Sequence, residues 1–364
     1  MIVAALALII VVVVVVIFGV LFASSSAAAP LSKKLRPLPV HAEGFCQTRC
    51  SAANTFLMIP IDRDEHGLPQ IELWLGNQPV RAVLDSASCS LLVAGKACRG
   101  CPAVQGRYAP RTPPGRSGVT TFGTQEDEWN AYADVVAVAG RCVKDVRDLL
   151  DGPGVDDVTM FLGECTFGVT RRRVPSAYAL DMPMSSYNIC GVGRCHGEQS
   201  FLGQLNAERT FTFVQTPQNQ AYVLLREARL SSKAVRVPLQ PDEDVYAVAL
   251  ASATLGGHAV DGMPDRVLFD TGSNYLFAPG SVCAALQAQR GETLQLTVSG
   301  VDGAGRAADV TLQLPASSYA PYSDHLYCAA SHPDDDFLIL GTLLLTEPVA
   351  IAFSPTALTI EPLS

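Results

Sequence analysis

From about residue 55 onward, the chain is a series of short hydrophobic segments broken by Gly, Pro, Asp or Asn. Such segments, rich in β-branched and aromatic residues, are typical of strands, and the residues between them are typical of turns. Helical patterns are few, the best being Ser281–Arg290, with Val143–Leu150 as a second candidate. The predicted fold class is mostly β. The expected strands are Phe56–Ile61, Ile71–Leu75, Val80–Leu84, Val135–Val138, Tyr222–Leu225, Val245–Leu250, Arg266–Phe269, Leu294–Val298 and Val349–Phe353.

The N-terminal segment differs from the rest, because every residue from Ile2 to Ala23 is apolar or glycine. A helix of this length spans about 33 Å, enough to cross a bilayer core of roughly 30 Å. The length of the segment and the lack of a preceding basic residue favour a membrane anchor over a signal peptide, although Ala23–Ala29 would suit cleavage. Residues 1–29 are therefore interpreted as an anchor or signal peptide, and residues 30–54 as a linker or short pro-segment.

Length and composition narrow the function classes. A chain of 364 residues is long enough for two lobes, here placed at residues 55–225 and 226–364. The net charge of −9 argues against a nucleic-acid partner, since phosphate neutralisation needs the opposite balance. A composition of 48% hydrophobic and only 17% charged residues argues against disorder over most of the chain.

Eleven cysteines behind an export signal favour several disulfides and an extracytoplasmic location. The odd count leaves at least one thiol free or paired between chains. Cys98 and Cys101 are interpreted as a small disulfide loop or buried thiols, because no second CxxC follows to complete a zinc site.

One internal repeat carries the candidate chemistry. The segment Val83–Leu92 is echoed 185 residues later by Leu268–Phe277. In both, an apolar strand runs into Asp, a hydroxyl residue, a small residue and Ser. A second pair, Ile189–Gly191 and Ile339–Gly341, follows each Asp motif, and a glycine there suits a strand that passes close to another backbone.

A duplicated Asp motif has a specific chemical meaning. Two carboxylates brought together cannot both ionise cheaply, so one keeps a proton while the other is charged. The pair then supplies a general base and a general acid to a water held between them. A single Asp-Thr-Gly would be an ordinary turn, but two motifs with matching downstream partners indicate a site.

From about Thr55 to its C-terminus, the sequence resembles the pepsin-like aspartic proteases. Asp270–Ser273 matches the second catalytic motif of that family, and Asp85–Ser88 matches the first with Ala87 in place of glycine. Phe337–Gly341 followed by Val349–Phe353 resembles the C-terminal signature of the family. The segment Phe122, Gly123 and Thr124 stands where the flap begins, and Ala131–Gly140 resembles the strand after it.

The resemblance implies a bilobal fold with pseudo-twofold symmetry, preceded by the hydrophobic helix. It implies a monomer with no cofactor and no metal, and an extended polypeptide substrate in a cleft between the lobes. Membrane contact would come through the N-terminal helix if that helix is uncleaved; otherwise the protein would be secreted. The residues implied are catalytic Asp85 and Asp270, supporting Ser86, Ala87, Ser88, Thr271, Gly272 and Ser273, and a disulfide between Cys283 and Cys328.

The chain departs from the family pattern at three positions. A methyl group at Ala87 would cost on the order of 1–2 kcal/mol if that loop requires positive φ or very close approach. Phe122 lacks the hydroxyl of the usual flap tyrosine, and Leu92 replaces the tryptophan to which that hydroxyl is hydrogen-bonded in the family. Donor and acceptor are lost together, which avoids an unpaired buried polar group.

Two functions are weighed. The first is an active aspartic endopeptidase working at acidic pH, and the second is a catalytically silent relative that binds peptides or protease partners in the same cleft. Retention of both Asp residues and both hydroxyl partners favours the enzyme. The run Arg171–Arg173 is interpreted as an exposed loop, and Asp334–Asp336 as a solvated acidic loop.

Overall fold

The computed structural model describes most of the chain beyond residue 55. The ranges are 46–47, 56–64, 67–102, 104, 106–122, 125–143, 157–176, 187–195, 200–206, 208–226, 228, 230–241, 244–273, 276–289, 291–316, 328–330, 337–342 and 347–363. The predicted N-terminal helix, nearly all of the predicted linker, Gly123, Thr124, Asp334–Asp336 and residues 144–150 lie outside these ranges. No helix within the described ranges is long and apolar enough to cross a membrane.

The fold is mostly β, as predicted, and every expected strand is present within one or two residues or as part of a longer strand. Helix α1 spans Phe201–Leu205 and α2 spans Gly280–Ala288, so the predicted helix at Ser281–Arg290 is confirmed. Val143, predicted to begin a helix, instead ends a strand.

The strands are β1 (Cys46–Gln47), β2 (Phe56–Arg63), β3 (Pro69–Leu75), β4 (Gln78–Asp85), β5 (Leu91–Arg99), β6 (Ser117–Thr121), β7 (Gln125–Val143), β8 (Asp157–Pro175), β9 (Asn188–Gly191), β10 (Phe211–Gln215), β11 (Ala221–Leu224), β12 (Val235–Pro238), β13 (Ala247–Ala249), β14 (Ser252–Leu255), β15 (His258–Ala259), β16 (Arg266–Phe269), β17 (Leu276–Ala278), β18 (Leu294–Val301), β19 (Ala307–Leu314), β20 (Cys328–Ala330), β21 (Phe337–Leu340), β22 (Val349–Phe353) and β23 (Ala357–Pro362).

The sequence repeat is also a repeat of strand pairing. In the first half, β4 pairs parallel with β9, β9 pairs antiparallel with β5, and β5 pairs parallel with β8. In the second half, β16 pairs parallel with β21, β21 antiparallel with β17, and β17 parallel with β20. Each Asp motif therefore follows a strand of the same type, with the apolar-apolar-Gly segment as its parallel neighbour.

An antiparallel sheet joins residues from both halves of the chain. Its strands run in the order β2, β11, β10, β22, β23 and β12. Every residue of β10, β11 and β22 is buried, so the centre of this sheet is covered on both faces. Phe211 stacks on Phe353 with ring centroids 4.3 Å apart. Tyr246 meets Phe353 edge-on at 4.9 Å. Its backbone C=O accepts from Phe269, next to Asp270, so this aromatic cluster supports the second motif directly.

Three disulfides lie among the described residues, and Cys142 is also disulfide-bonded. Cys283 pairs with Cys328, as the resemblance implied, and Cys98 pairs with Cys101. Cys283 and Cys328 are separated by 45 residues in the sequence. In the chain-entropy model, a disulfide that closes a loop of this length stabilises the fold by roughly 3–4 kcal/mol.

Peptide mapping without reduction should find these pairs, together with buried thiols that react only after unfolding. Burial raises the pKa of Cys165 to about 11, and burial beside the negative charge of Asp85 raises the pKa of Cys190 further. A thiol held protonated in the core is a poor nucleophile, so iodoacetamide should not label either one in the native protein. Rapid native labelling, or different partners in the map, would contradict the pairing. The expected bonds are Cys89–Cys195, Cys98–Cys101 and Cys283–Cys328.

Candidate active site

The repeated strands deliver the two Asp residues to one place. Asp85 is the last residue of β4, and its C=O accepts from the N–H of Val192 at 2.8 Å. Asp270 directly follows β16, and its N–H donates to the C=O of Leu340 at 3.1 Å. Each Asp is therefore fixed by the parallel neighbour strand that the sequence repeat had singled out.

Crossed hydrogen bonds tie the two motif loops together. The N–H of Ser86 donates to Thr271 Oγ1 at 3.0 Å, and the N–H of Thr271 donates to Ser86 Oγ at 2.9 Å. Ser86 Oγ donates to the C=O of Phe269 at 2.8 Å, and Thr271 Oγ1 donates to the C=O of Leu84 at 2.7 Å. The hydroxyl residue of each motif thus joins its own loop to the other one. All four bonds are buried, so they hold the two loops in one fixed arrangement.

The two carboxyl groups have equivalent partners. Asp85 Oδ1 accepts from the N–H of Ala87 at 2.9 Å, and its Oδ2 accepts from Ser88 Oγ. Asp270 Oδ1 accepts from the N–H of Gly272 at 2.9 Å, and its Oδ2 accepts from Ser273 Oγ at 2.6 Å. One backbone amide and one serine hydroxyl thus orient each carboxyl group.

Burial and mutual repulsion keep a proton on the pair. Burial raises the pKa of Asp85, an effect opposed by the hydrogen bonds from Ser88 and Ala87. Burial, followed by the charge of Asp85, raises the pKa of Asp270 to about 7. The pair therefore keeps a proton until the pH rises to about 7, and one proton shared by two carboxyl groups is the arrangement needed for joint acid and base catalysis.

The two small residues of the motifs have different surroundings. A Cβ at Gly272 would lie 2.5 Å from Cγ of Asp85, so glycine is required there by close approach. Ala87 is exposed, and positive φ among the described non-glycine residues is confined to Arg209 and Asn219. The backbone strain that positive φ would have imposed on Ala87 is therefore absent.

A disulfide and a closely packed glycine hold the first motif loop in place. The sequence analysis did not predict the disulfide. Cys89, which follows Ser88, is bonded to Cys195 across a Cα–Cα distance of 5.7 Å. Between them, Gly191 approaches so closely that a Cβ would lie 2.6 Å from the carbonyl oxygen of Ser88. This is the close backbone passage that the apolar-apolar-Gly pattern predicted.

Phe122, the first residue of the predicted flap segment, follows β6, which pairs antiparallel with β7 to form the β6–β7 hairpin. Phe122 is half-buried, and its N–H donates to the C=O of Gln125 at 2.7 Å across the turn. Trp129, which the sequence analysis overlooked, donates its indole N–H to Thr120 Oγ1 at 2.9 Å. The indole packs on Gly168, on the same side as Leu92. An aromatic side chain, Trp129, thus lies beside Leu92, but it belongs to the β6–β7 hairpin and forms its hydrogen bond within that hairpin.

The prediction of an exposed loop at Arg171–Arg173 is right about the exposure of Arg171 and Arg172, but wrong about the loop and about Arg173. These residues belong to strand β8, and the side chain of Arg173 is only 1% exposed. Its guanidinium binds the fully buried Asp127 with Nε–Oδ1 and Nη2–Oδ2 distances of 2.7 and 2.8 Å. Thr170 Oγ1 donates to the same carboxylate at 3.1 Å. Three consecutive arginines in a sequence suggest a solvent-exposed segment. Arg173 can be buried because its charge is neutralised by Asp127 on β7, which is far away in the sequence.

In the part of the chain that the structure describes, no group of three or more His, Cys, Asp or Glu side chains is placed to hold a metal ion. No protein-family model and no curated protein sequence matches this chain. The candidate site therefore rests on geometry alone: a buried Asp85 and a half-buried Asp270, each with two hydrogen-bond donors, on loops joined by four hydrogen bonds.

Proposed function

We propose that the protein is an aspartic endopeptidase that hydrolyses peptide bonds with water activated by Asp85 and Asp270. The observation that carries this proposal is the pair of carboxyl groups with equivalent hydrogen-bond donors on loops joined by hydrogen bonds, with a raised pKa on each. A pair serving only stability would be better replaced by uncharged side chains, since buried like charges repel each other.

The chemistry follows from the shared proton. The ionised carboxylate removes a proton from the attacking water, while the protonated carboxyl group donates to the oxygen of the scissile carbonyl. The tetrahedral intermediate then collapses as a proton passes to the leaving nitrogen. The serine hydroxyls and backbone amides fix both carboxyl groups before substrate binds, which reduces reorganisation during the reaction.

The same proposal includes the architecture around the site. The two strand-pairing repeats would be two lobes related by a pseudo-twofold axis, with the substrate extended between them and the β6–β7 hairpin over it. The disulfides support an oxidising, extracytoplasmic compartment, reached by secretion or through an N-terminal anchor.

A pH–rate profile for peptide cleavage tests this function. Cleavage should be fast at acidic pH and fall as pH rises through about 7, because the pair then loses its shared proton. A rate that rises with pH through neutrality would contradict a carboxyl dyad. Failure to cleave a broad peptide library at any pH would favour the silent relative.

The pH dependence of thermal stability should also reveal the proton that the carboxyl pair holds. The pKa of Asp270 is raised from 3.8 to about 7, so the folded protein binds a proton that the unfolded chain releases between these pH values. Asp270 therefore lowers the free energy of unfolding progressively as the pH rises from about 4 to 7. Asp270→Asn, which carries no charge, should melt higher than the wild type at pH 8 and lose that advantage at pH 4. Equal shifts at both pH values would contradict a raised pKa.

A further inference from the structure

Gln125, the first residue of β7, is fully buried. Within the part of the chain that the structure describes, neither Oε1 nor Nε2 of its side chain has a hydrogen-bond partner. Among the described residues, only Nε of Arg194 is similarly buried and unbonded, and that guanidinium donates elsewhere to the C=O of Gln240. A buried amide with no partner is destabilising, because it has lost its hydration without replacement.

The position of Gln125 is fixed by its surroundings. Its C=O accepts from the N–H of Phe122, and it lies opposite Pro175, the last residue of β8. Two residues further along β7, Asp127 is held by Arg173 and Thr170 through three buried hydrogen bonds. Arg173 also donates to the C=O of Tyr187 at 3.3 Å, next to β9, whose Gly191 lies opposite Asp85. The strand that carries Gln125 is therefore fixed relative to the candidate active site.

We propose that the Gln125 carboxamide is a substrate-recognition group that binds an amide of the substrate. This inference rests on the proposed function, in which the predicted flap, beginning at Phe122–Thr124 directly before Gln125, covers the substrate. The carboxamide has a free donor and a free acceptor side by side, so its best complement is another amide group. That group is either a peptide unit of the extended substrate or the side chain of a Gln or Asn.

Gln125→Met tests this role, because Met has a similar length and no hydrogen-bonding amide. Removing two unsatisfied polar atoms should raise the melting midpoint by about 2 °C, while kcat/KM for peptides falls about tenfold. Opposite changes in stability and activity are the result expected of a group that is satisfied only by substrate.

Gln215→Met is the matched control. Gln215 is equally buried, but its Oε1 accepts from Arg63 at 2.6 Å and its Nε2 donates to Asn219 at 3.0 Å. Its replacement should lower the melting midpoint and leave kcat/KM unchanged. A paired peptide series, with Gln or Asn exchanged for Met or Leu at each position, separates the two sources of the amide. A loss confined to Gln- and Asn-containing peptides identifies side-chain recognition, and a uniform loss identifies main-chain recognition.

The inference is overturned if Gln125→Met is less stable than the wild type, or if it cleaves every peptide at the wild-type rate. If Gln125→Met does not fold, Gln125→Leu is measured in the same way, and failure of both shows that the amide has a structural partner, which also overturns the inference. Absence of cleavage by the wild type is a different result: it refutes the proposed function, and the inference falls with it.

Discussion

Replacing either Asp85 or Asp270 by Asn should lower kcat for peptide cleavage by about 10⁴-fold while leaving the fold intact. Asn has nearly the same shape as Asp and can still accept hydrogen bonds from the backbone amides of Ala87 or Gly272. It cannot ionise, so the site loses the base or the acid that water activation requires. The two variants should be equally impaired, because each carboxyl group is half of one proton-sharing pair.

Initial rates at acidic pH, with circular dichroism as a test of folding, measure this effect. Asp309→Asn is a suitable control, because Asp309 is exposed and accepts a hydrogen bond from Ser299 that an amide oxygen can also accept. The control should retain full activity. A folded Asp85→Asn or Asp270→Asn variant with wild-type kcat would exclude the dyad mechanism.

Gly272→Ala should also be severely impaired, with kcat/KM reduced by roughly 10²-fold, although it removes no functional group. The new methyl carbon would lie 2.5 Å from Cγ of Asp85, far inside normal contact distance. Either the Asp85 carboxyl group or the loop carrying Gly272 must move, and both are held by hydrogen bonds. Ala87→Gly, at the corresponding position of the first motif, should keep or raise activity, because Ala87 is exposed.

Gly280→Ala is the matched control for the methyl group. A Cβ at Gly280, the first residue of α2, meets no atom within 4 Å. This variant should retain wild-type kcat/KM, and its stability should stay equal or rise slightly. Full activity in Gly272→Ala, or a large loss in Ala87→Gly, would contradict the asymmetry between the two motif loops.

The sequence was sufficient to predict the parts of the site that depend on local pattern. A strand that ends in Asp, with a hydroxyl residue next in line, predicted both Asp85 with Ser86 and Asp270 with Thr271. The repeat predicted that the two motifs meet, and the hydrogen bonds between Ser86 and Thr271 fit that prediction. Short apolar segments predicted the strands because β-branched and aromatic residues pack well on half-buried sheets.

The parts that could not be predicted depend on long-range register. Arg173 and Asp127 are 46 residues apart, and nothing local indicates that they pair. An irregularity between Glu128 and Trp129 shifts the alternation of side chains along β7, so a strict two-residue period fails there. Gln125 reads as an ordinary polar residue near a turn, and only its burial without a partner distinguishes it.

Binding of a peptide mimic that carries a hydroxyl group in place of the scissile carbonyl tests the central claim most directly. Calorimetric titration at pH about 5 should give tight binding to the wild type, because the hydroxyl lies between the two carboxyl groups as the transition state would. Affinity should fall by at least about 10²-fold in both Asp85→Asn and Asp270→Asn. No binding to the wild type, or equal binding to the wild type and both Asn variants, would contradict an aspartic dyad at this site.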